Sequence, residues 1–502
     1  MSFPGRPAVA CGTCREKKVK CDQAFPECRR CVTKGLRCAG YNNDTQFVLR
    51  RRPATNSSPT GTGSTSPNKS VVHRPVRSLV TPLEDQAIPR FFYDYVLHGT
   101  KPGIPGGFLN FLHELYDREL ATPGLWAALA ATAYASLANQ TKVESLKDRA
   151  RQVYGISLTL LHQALQSPKE TKKDSTLGTL MLLSMYELIM SENESTLWDA
   201  HQDGRLILLR LRGTDQFKTD RGLAMFRTAY TQLQFGYLAR YMQPHIDLVY
   251  QEGSMNGPPR PIFPMNPQLA GLVTRVARLC ASAMQVLRNP DSPPQAEDLD
   301  NMICDASILD GELVRWKENA PAEWVYYSVR VNSSQRRRFP QAFPSWLEDF
   351  QIYPDVRMAL VWNFYRCVRI FLHHAVLCCL SRLAFSSDIS SAPPSNERSF
   401  QPYEETLNAM ADEVCASIPF SLGQLESGIN PNYSHPKPIG GYLLMWPLHT
   451  VKTRGQLSEE KTNFVNGVLK FIRDGLGINH AQSLLDYKVT IPISKIPLPK
   501  VN

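Results

Sequence analysis

Cys11-Gly12-Thr13-Cys14-Arg15-Glu16-Lys17-Lys18-Val19-Lys20-Cys21 is followed, after six residues, by Cys28-Arg29-Arg30-Cys31-Val32-Thr33-Lys34-Gly35-Leu36-Arg37-Cys38. The spacing Cys-x2-Cys-x6-Cys is written twice, and it takes up six of the chain's 12 cysteines. Each unit alone is one ligand short of the four that a closed structural zinc site prefers. If two zinc ions share two of the six sulfurs, both become four-coordinate, so the arithmetic favours a binuclear cluster. The repeat puts Cys11 and Cys28 in equivalent positions, the natural pair for bridging, although spacing alone does not prove that assignment. So short a segment buries little apolar surface. Metal binding, worth roughly 10–16 kcal/mol per structural zinc, must therefore supply its folding free energy.

Two other readings of six clustered cysteines are a disulfide framework and a zinc module that binds protein. The first needs a secretory route, and residues 1–10 hold no apolar run long enough for a signal peptide. Against the second stands the insert Arg15-Glu16-Lys17-Lys18-Val19-Lys20, which sets four cations on about one and a half helical turns. Lysine can bond guanine O6 and N7 in the major groove, while contacts to phosphate supply affinity without sequence information. The doubled spacing together with this charge points to a DNA-binding module.

At these residues the chain resembles the fungal binuclear zinc cluster transcription factors. The pattern Cys-x2-Cys-Arg-x-basic-Lys-x-Lys-Cys is complete from Cys11 to Cys21, and the second unit matches as well. The resemblance implies Cys11, Cys14, Cys21 and Cys28 around one zinc and Cys28, Cys31, Cys38 and Cys11 around the other, with Cys11 and Cys28 as bridges. It implies a short helix after the second cysteine that reads a CGG-type triplet through Lys17 and Lys18. Arg15, Lys20, Arg29 and Arg30 match phosphate-facing positions, and Pro26 matches a proline common in the joining loop. Lys17 stands where many members carry arginine. No heptad repeat follows the cluster, where many members dimerise through a coiled coil, so half-site pairing is left open.

The formal charge of +10 is unevenly spread. Residues 1–78 hold fifteen Lys and Arg against four Asp and Glu, a balance of +11, so the remainder sums to −1. Six thiolates and two zinc ions would remove two charges from the first part, which still suits a polyanion. Cys280, Cys304, Cys367, Cys378, Cys379 and Cys415 lie in apolar surroundings and read as reduced core residues of an intracellular protein. The uncharged stretch 120–141 reads as a buried helix, because its apolar part is too short for a membrane span and carries Thr132 and Ser136.

Residues 1–10 are expected to be disordered and 11–38 to form the zinc cluster. Residues 39–80, rich in Ser, Thr, Pro, Gly and Asn, are expected to form a flexible linker. Within it Arg50, Arg51 and Arg52 would reinforce nuclear import, touch phosphates or be a solvated basic hinge, and Ser58-Pro59 and Ser66-Pro67 would be phosphorylation sites that weaken DNA contacts. Thr81-Pro82-Leu83-Glu84 reads as a capping box with proline at the first helical position, and Pro89 should kink or delay the helix. Further helices are expected at 125–138, 143–165, 175–190, 200–211 and 221–242, with Gly213 as a stop. Beyond a proline-rich stretch at 244–267, others are expected at 268–287, 296–318, 355–384, 403–417 and 458–476. Strand-like alternation is scarce. The fold class is therefore mainly α: a small zinc module, a linker and one large all-helical domain over 81–490, open to a split into two lobes, with a tail at 491–502.

This second part is similar to the fungal-specific transcription factor domain, an all-helical regulatory region, on stretches at 177–187, 201–213, 353–369, 415–423 and 440–448. That implies a body that senses, dimerises or recruits, and it carries over no ligand residue. His373, His374, Cys378 and Cys379 could clasp a metal on one helix, and Trp362, Phe364, Tyr365 and Phe371 could line a pocket. Core packing is the simpler account of both groups. Nucleophile elbow, phosphate loop, His-Glu-x-x-His and dinucleotide fingerprints are all absent from the sequence, so no enzyme is expected. The reading is a nuclear, sequence-specific DNA-binding regulator of RNA polymerase II genes. It binds two zinc ions and double-stranded DNA, forms a homodimer or heterodimer through the helical body, engages the transcription machinery and needs no membrane. A biosynthetic gene cluster is a common target for this layout. The competing class is a zinc-dependent interaction protein that reaches DNA only through partners.

Overall fold

Apolar residues at helical spacing shape most of the chain that the computed structural model describes. Described are residues 13–14, 17, 19–21, 28–36, 38, 82–97, 108–116, 122–191, 201–245, 267–289, 294–330, 344–387, 399–425 and 437–487. The expectations for Cys11, Arg15, Lys18, Pro26, the linker 39–80 with its arginines and Ser-Pro pairs, Thr81, residues 246–266 and the tail from 488 lie outside them, as does the side chain of Arg29. Two compact units divide the chain, Met1–Arg77 and Ser78–Asn502.

The first unit contains α1 (Arg29–Thr33). The second begins with α2 (Leu83–Tyr95), α3 (Leu112–Leu115), α4 (Pro123–Thr141), α5 (Glu144–Leu165), α6 (Pro168–Thr171), α7 (Asp174–Met190), α8 (Gln202–Arg212) and α9 (Asp220–Arg240). It continues with α10 (Pro267–Arg288), α11 (Ala296–Glu318), strands β1 (Tyr327–Arg330) and β2 (Asp349–Ile352), α12 (Val356–Ser387), α13 (Gln401–Ser421), α14 (Pro438–Arg454), α15 (Glu459–Asp474) and α16 (Ala481–Asp486).

Helix α4 packs on α2, α5 and α7, while α12 packs on α10, α11, α13 and α14. Helix α9 meets α8 on one side and α10 on the other, and α14 returns to touch α2. One continuous apolar core runs through both groups. At their junction the indole of Trp446 lies between two phenyl rings, 4.9 Å from Phe235 on α9 and 5.5 Å from Phe371 on α12.

Local chemistry explains several helix ends. Thr122, Ser167, Thr219 and Ser458 each accept a backbone N–H from their own first turns. Gly213 ends α8 at φ +54°. Pro82 occupies the cap position rather than the first helical position, α2 starts at Leu83, and the helix runs on through Pro89. Burial of Ala87, Phe91 and Tyr95 holds that helix together across the missing N–H.

Several further features depart from expectation, among them α14 (Pro438–Arg454), which none of the expected helices covered. The antiparallel pair β1–β2, with Tyr327 opposite Ile352, was not foreseen, because only Phe350, Gln351 and Ile352 are buried and β1 shows no alternation. Helix α13 continues to Ser421 through Pro419, beyond its expected end. Cys304 is exposed, since it lies on the outward side of α11 rather than in the core; Cys280, Cys367, Cys379 and Cys415 are buried and Cys378 is half-buried.

The stretch Val356–Ala384 of α12 is long and apolar enough to cross a bilayer, yet its faces are covered by neighbouring helices. It also buries Arg357, Asn363 and Arg366, each held by protein partners. Its apolar composition is that of a core helix.

Candidate metal centre and nucleic-acid interface

In the first unit the thiols of Cys14, Cys28 and Cys31 are buried and mutually within 4.8 Å. Cys14 Sγ lies 3.7 Å from Cys28 Sγ and 4.0 Å from Cys31 Sγ. A disulfide would require about 2.05 Å, whereas sulfurs at Zn–S distances of about 2.3 Å around a tetrahedral ion lie about 3.8 Å apart. The thiols therefore fit a shared metal centre. Cys21 and Cys38 pack against the same group.

The duplicated spacing reappears in the backbone. Lys17 N–H donates to Thr13 O and Lys34 N–H to Arg30 O, both at 3.2 Å. Val19 N–H donates to Cys14 O and Leu36 N–H to Cys31 O, at 3.0 and 2.9 Å. Both pairs are related by the 17-residue offset between the units, so the two halves fold alike.

In the second half Cys28 caps α1, its sulfur accepting the Cys31 N–H at 3.3 Å. The helix closes in a Schellman motif: Gly35 N–H donates to Val32 O and Leu36 N–H to Cys31 O, with Gly35 at φ +61°. A β-carbon at Gly35 would meet nothing within 4 Å, so glycine is needed there for its backbone conformation.

Around the sulfurs the surface is cationic: Lys17, Lys20, Arg30 and Lys34 are all exposed. Lys34 was overlooked in reading the sequence, although the offset marks it as the counterpart of Lys17. The structure brings Cys14, Cys28 and Cys31 together with Lys17, Lys20 and Arg30; Cys11, Arg15 and Lys18 lie outside the described residues.

The alternative sites in the second unit resolve as packing. His374 Nδ1 is 3.1 Å from the Tyr241 hydroxyl and 3.8 Å from Cys378 Sγ. Burial, aided by the charge of Arg454, pulls His374 down to about 3, and burial pushes Cys378 up to about 11. At neutral pH this is a neutral imidazole beside a thiol. His373 Nε2 lies 3.0 Å from Asp310 Oδ1. Trp362, Phe364, Tyr365 and Phe371 are each at most 3% exposed. Among the described residues, Cys14, Cys28 and Cys31 are the group of three suited to a metal ion.

A thiol-centred module with a cationic surface, on a chain whose larger unit is a helical body, defines a metal-dependent nucleic-acid-binding regulator. Comparison with known proteins gives the family. The fungal Zn(2)-Cys(6) binuclear cluster domain matches residues 9–46, and the fungal specific transcription factor domain matches residues 90–379. The chain belongs to the fungal Zn(2)-Cys(6) transcription factors, a family that binds zinc and DNA.

Among its relatives, "Transcription factor dbaG" of Emericella nidulans is 22% identical over 407 residues, 80% of this chain and 90% of the relative. The "Aspercryptin biosynthesis cluster-specific transcription regulator atnN" of the same organism is 30% identical over 119 residues, 22% of this chain and 19% of the relative. The "Sorbicillinoid biosynthetic cluster transcription factor sor3" of Hypocrea jecorina is 34% identical over 122 residues, 23% of this chain and 18% of the relative. No solved structure matches the chain.

Proposed function

We propose that this protein is a nuclear activator that holds two zinc ions on Cys11, Cys14, Cys21, Cys28, Cys31 and Cys38 and reads CGG-type triplets in the major groove. The observation that carries the reading is the doubled backbone pattern around buried thiols, beside the exposed cations Lys17, Lys20 and Arg30. Lys17 and Lys18 contact base edges; Arg15, Lys20, Arg29 and Arg30 contact phosphates and set register. The helical body pairs two chains and engages the RNA polymerase II machinery. The relatives named for biosynthetic clusters favour a cluster-specific role.

Selection of sites from random duplex DNA by the full zinc-loaded chain tests this. Enrichment of CGG-type triplets is expected. No enrichment, with zinc in place, would make the cluster an interaction module that reaches DNA through partners. Lys18→Ala should relax base preference and cost about 1–3 kcal/mol at the preferred site. Lys20→Ala should instead weaken all sequences alike and lower the salt slope by about one phosphate contact. A changed preferred sequence for Lys20→Ala would move it to the base-reading group.

A further inference from the structure

Arg205 on α8 is only 6% exposed, and no carboxylate among the described residues lies within ion-pair distance of it. Its Nη2 donates to Ser184 Oγ on α7 at 3.1 Å, and its buried Nε has no hydrogen-bond partner. Three other buried arginines of this body are matched by acids: Arg212 by Asp174, Arg357 by Asp355 and Arg366 by Glu413. A lone guanidinium in the interior is costly unless it is paired. Burial alone pulls Arg205 down to about 10, the nearby Tyr442 hydroxyl opposing that shift.

The surroundings carry unused polar capacity. On α9, Gln232 Nε2 donates to the Tyr442 hydroxyl of α14 at 3.2 Å while its Oε1 has no partner. One turn before Arg205, Gln202 lies against α9 where Gly236 leaves room for it, and its Nε2 also has no partner. Tyr442 is half-buried, with the Phe108 ring 5.5 Å from its own. One buried cation, a hydroxyl and an amide N–H with free donor capacity suit a single negative charge with planar acceptor oxygens. A dianion would need a second unpaired cation.

We propose that Arg205, with Tyr442 and Gln202, forms a binding site for a small monocarboxylate in the helical body, where α7, α8, α9 and α14 meet. The site lies one turn of α14 from Trp446, so a bound carboxylate would tie together the helices that join the two bundles. The proposal stands apart from the DNA reading and survives its failure.

The test is thermal unfolding of the full zinc-loaded chain titrated with acetate or benzoate at constant ionic strength, with chloride as the reference salt and benzamide as the uncharged isostere. A saturable rise in Tm with at least one carboxylate and none with benzamide is expected. In Arg205→Met the apparent affinity should fall at least about tenfold, the loss expected for a charge-assisted pair. If that variant does not fold, Ser184→Asp serves instead, because it sets a carboxylate against Nη2; it should raise Tm without additive and abolish the response. No saturable shift with either carboxylate in the wild-type chain, an equal shift in Arg205→Met, or an unchanged response in Ser184→Asp would overturn the proposal.

Discussion

Cys28 concentrates the chemistry of the first unit in one side chain. It is fully buried, lies 3.7 Å from Cys14 Sγ and caps α1 through the Cys31 N–H. If it bridges two ions, Cys28→Ala removes a ligand from both and also costs the cap, about 1 kcal/mol by itself. The expected outcome is loss of both zinc ions and of the module's fold, read as zinc per chain and dispersion of its amide resonances. Retention of two tightly bound ions would rule out Cys28 as a bridge. The grouping of Cys14, Cys28 and Cys31 could be read from the sequence because metal spacing is local and the repeat writes it twice. Gly35 and Lys34 were passed over because their roles depend on a left-handed turn and on the 17-residue offset. Arg205 could not have been foreseen at all: a cation in an amphipathic helix reads as surface until its neighbours are known.

Between elements, α11 and α12 are joined by charge as well as packing. Asp310 accepts from Arg369 at 2.6 and 2.8 Å, and His373 Nε2 lies 3.0 Å away. Burial opposes ionisation of Asp310, but the bonds from His373 and Arg369 outweigh it and hold the carboxyl down to about 2. A carboxyl depressed in the folded state contributes stability above its unfolded pKa near 3.9, and that contribution is lost as pH falls toward 2. Its size is roughly 2 kcal/mol. Asp310→Asn should therefore lower Tm at pH 7 and flatten the fall of Tm between about pH 5 and pH 2. A parallel acid limb in the variant would show that other carboxylates govern acid unfolding. Helix α11 was placed from sequence to its ends, Ala296–Glu318, because Leu299, Ala306, Leu309, Leu313 and Trp316 recur at helical spacing along one buried face. The hairpin was missed because its pairing spans long sequence separation and only β2 is buried.

Across the whole second unit, the two groups of helices meet on Trp446, which is 2% exposed between Phe235 and Phe371. A joint filled by one large side chain makes the bundles interdependent, since neither can open without exposing the rings on the other. Trp446→Ala should cost about 3–5 kcal/mol and should convert a single unfolding transition into two, because the contact that couples the halves is gone while each half retains its own buried face. Loss of stability with one transition preserved would mean that the rest of the continuous core is enough to couple them. The same dependence bears on DNA. No heptad repeat follows the cluster, and under the proposed function the helical body pairs the half-sites; its α8 leaves Ile207 and Leu211 about half exposed one turn apart. The full chain should therefore select paired triplets at fixed spacing, whereas residues 1–80, with two zinc ions verified, should select single ones. Trp446→Ala, by loosening the body, should retain the triplet and blur the spacing. Paired triplets selected by residues 1–80 alone would place dimerisation in the first unit or the linker.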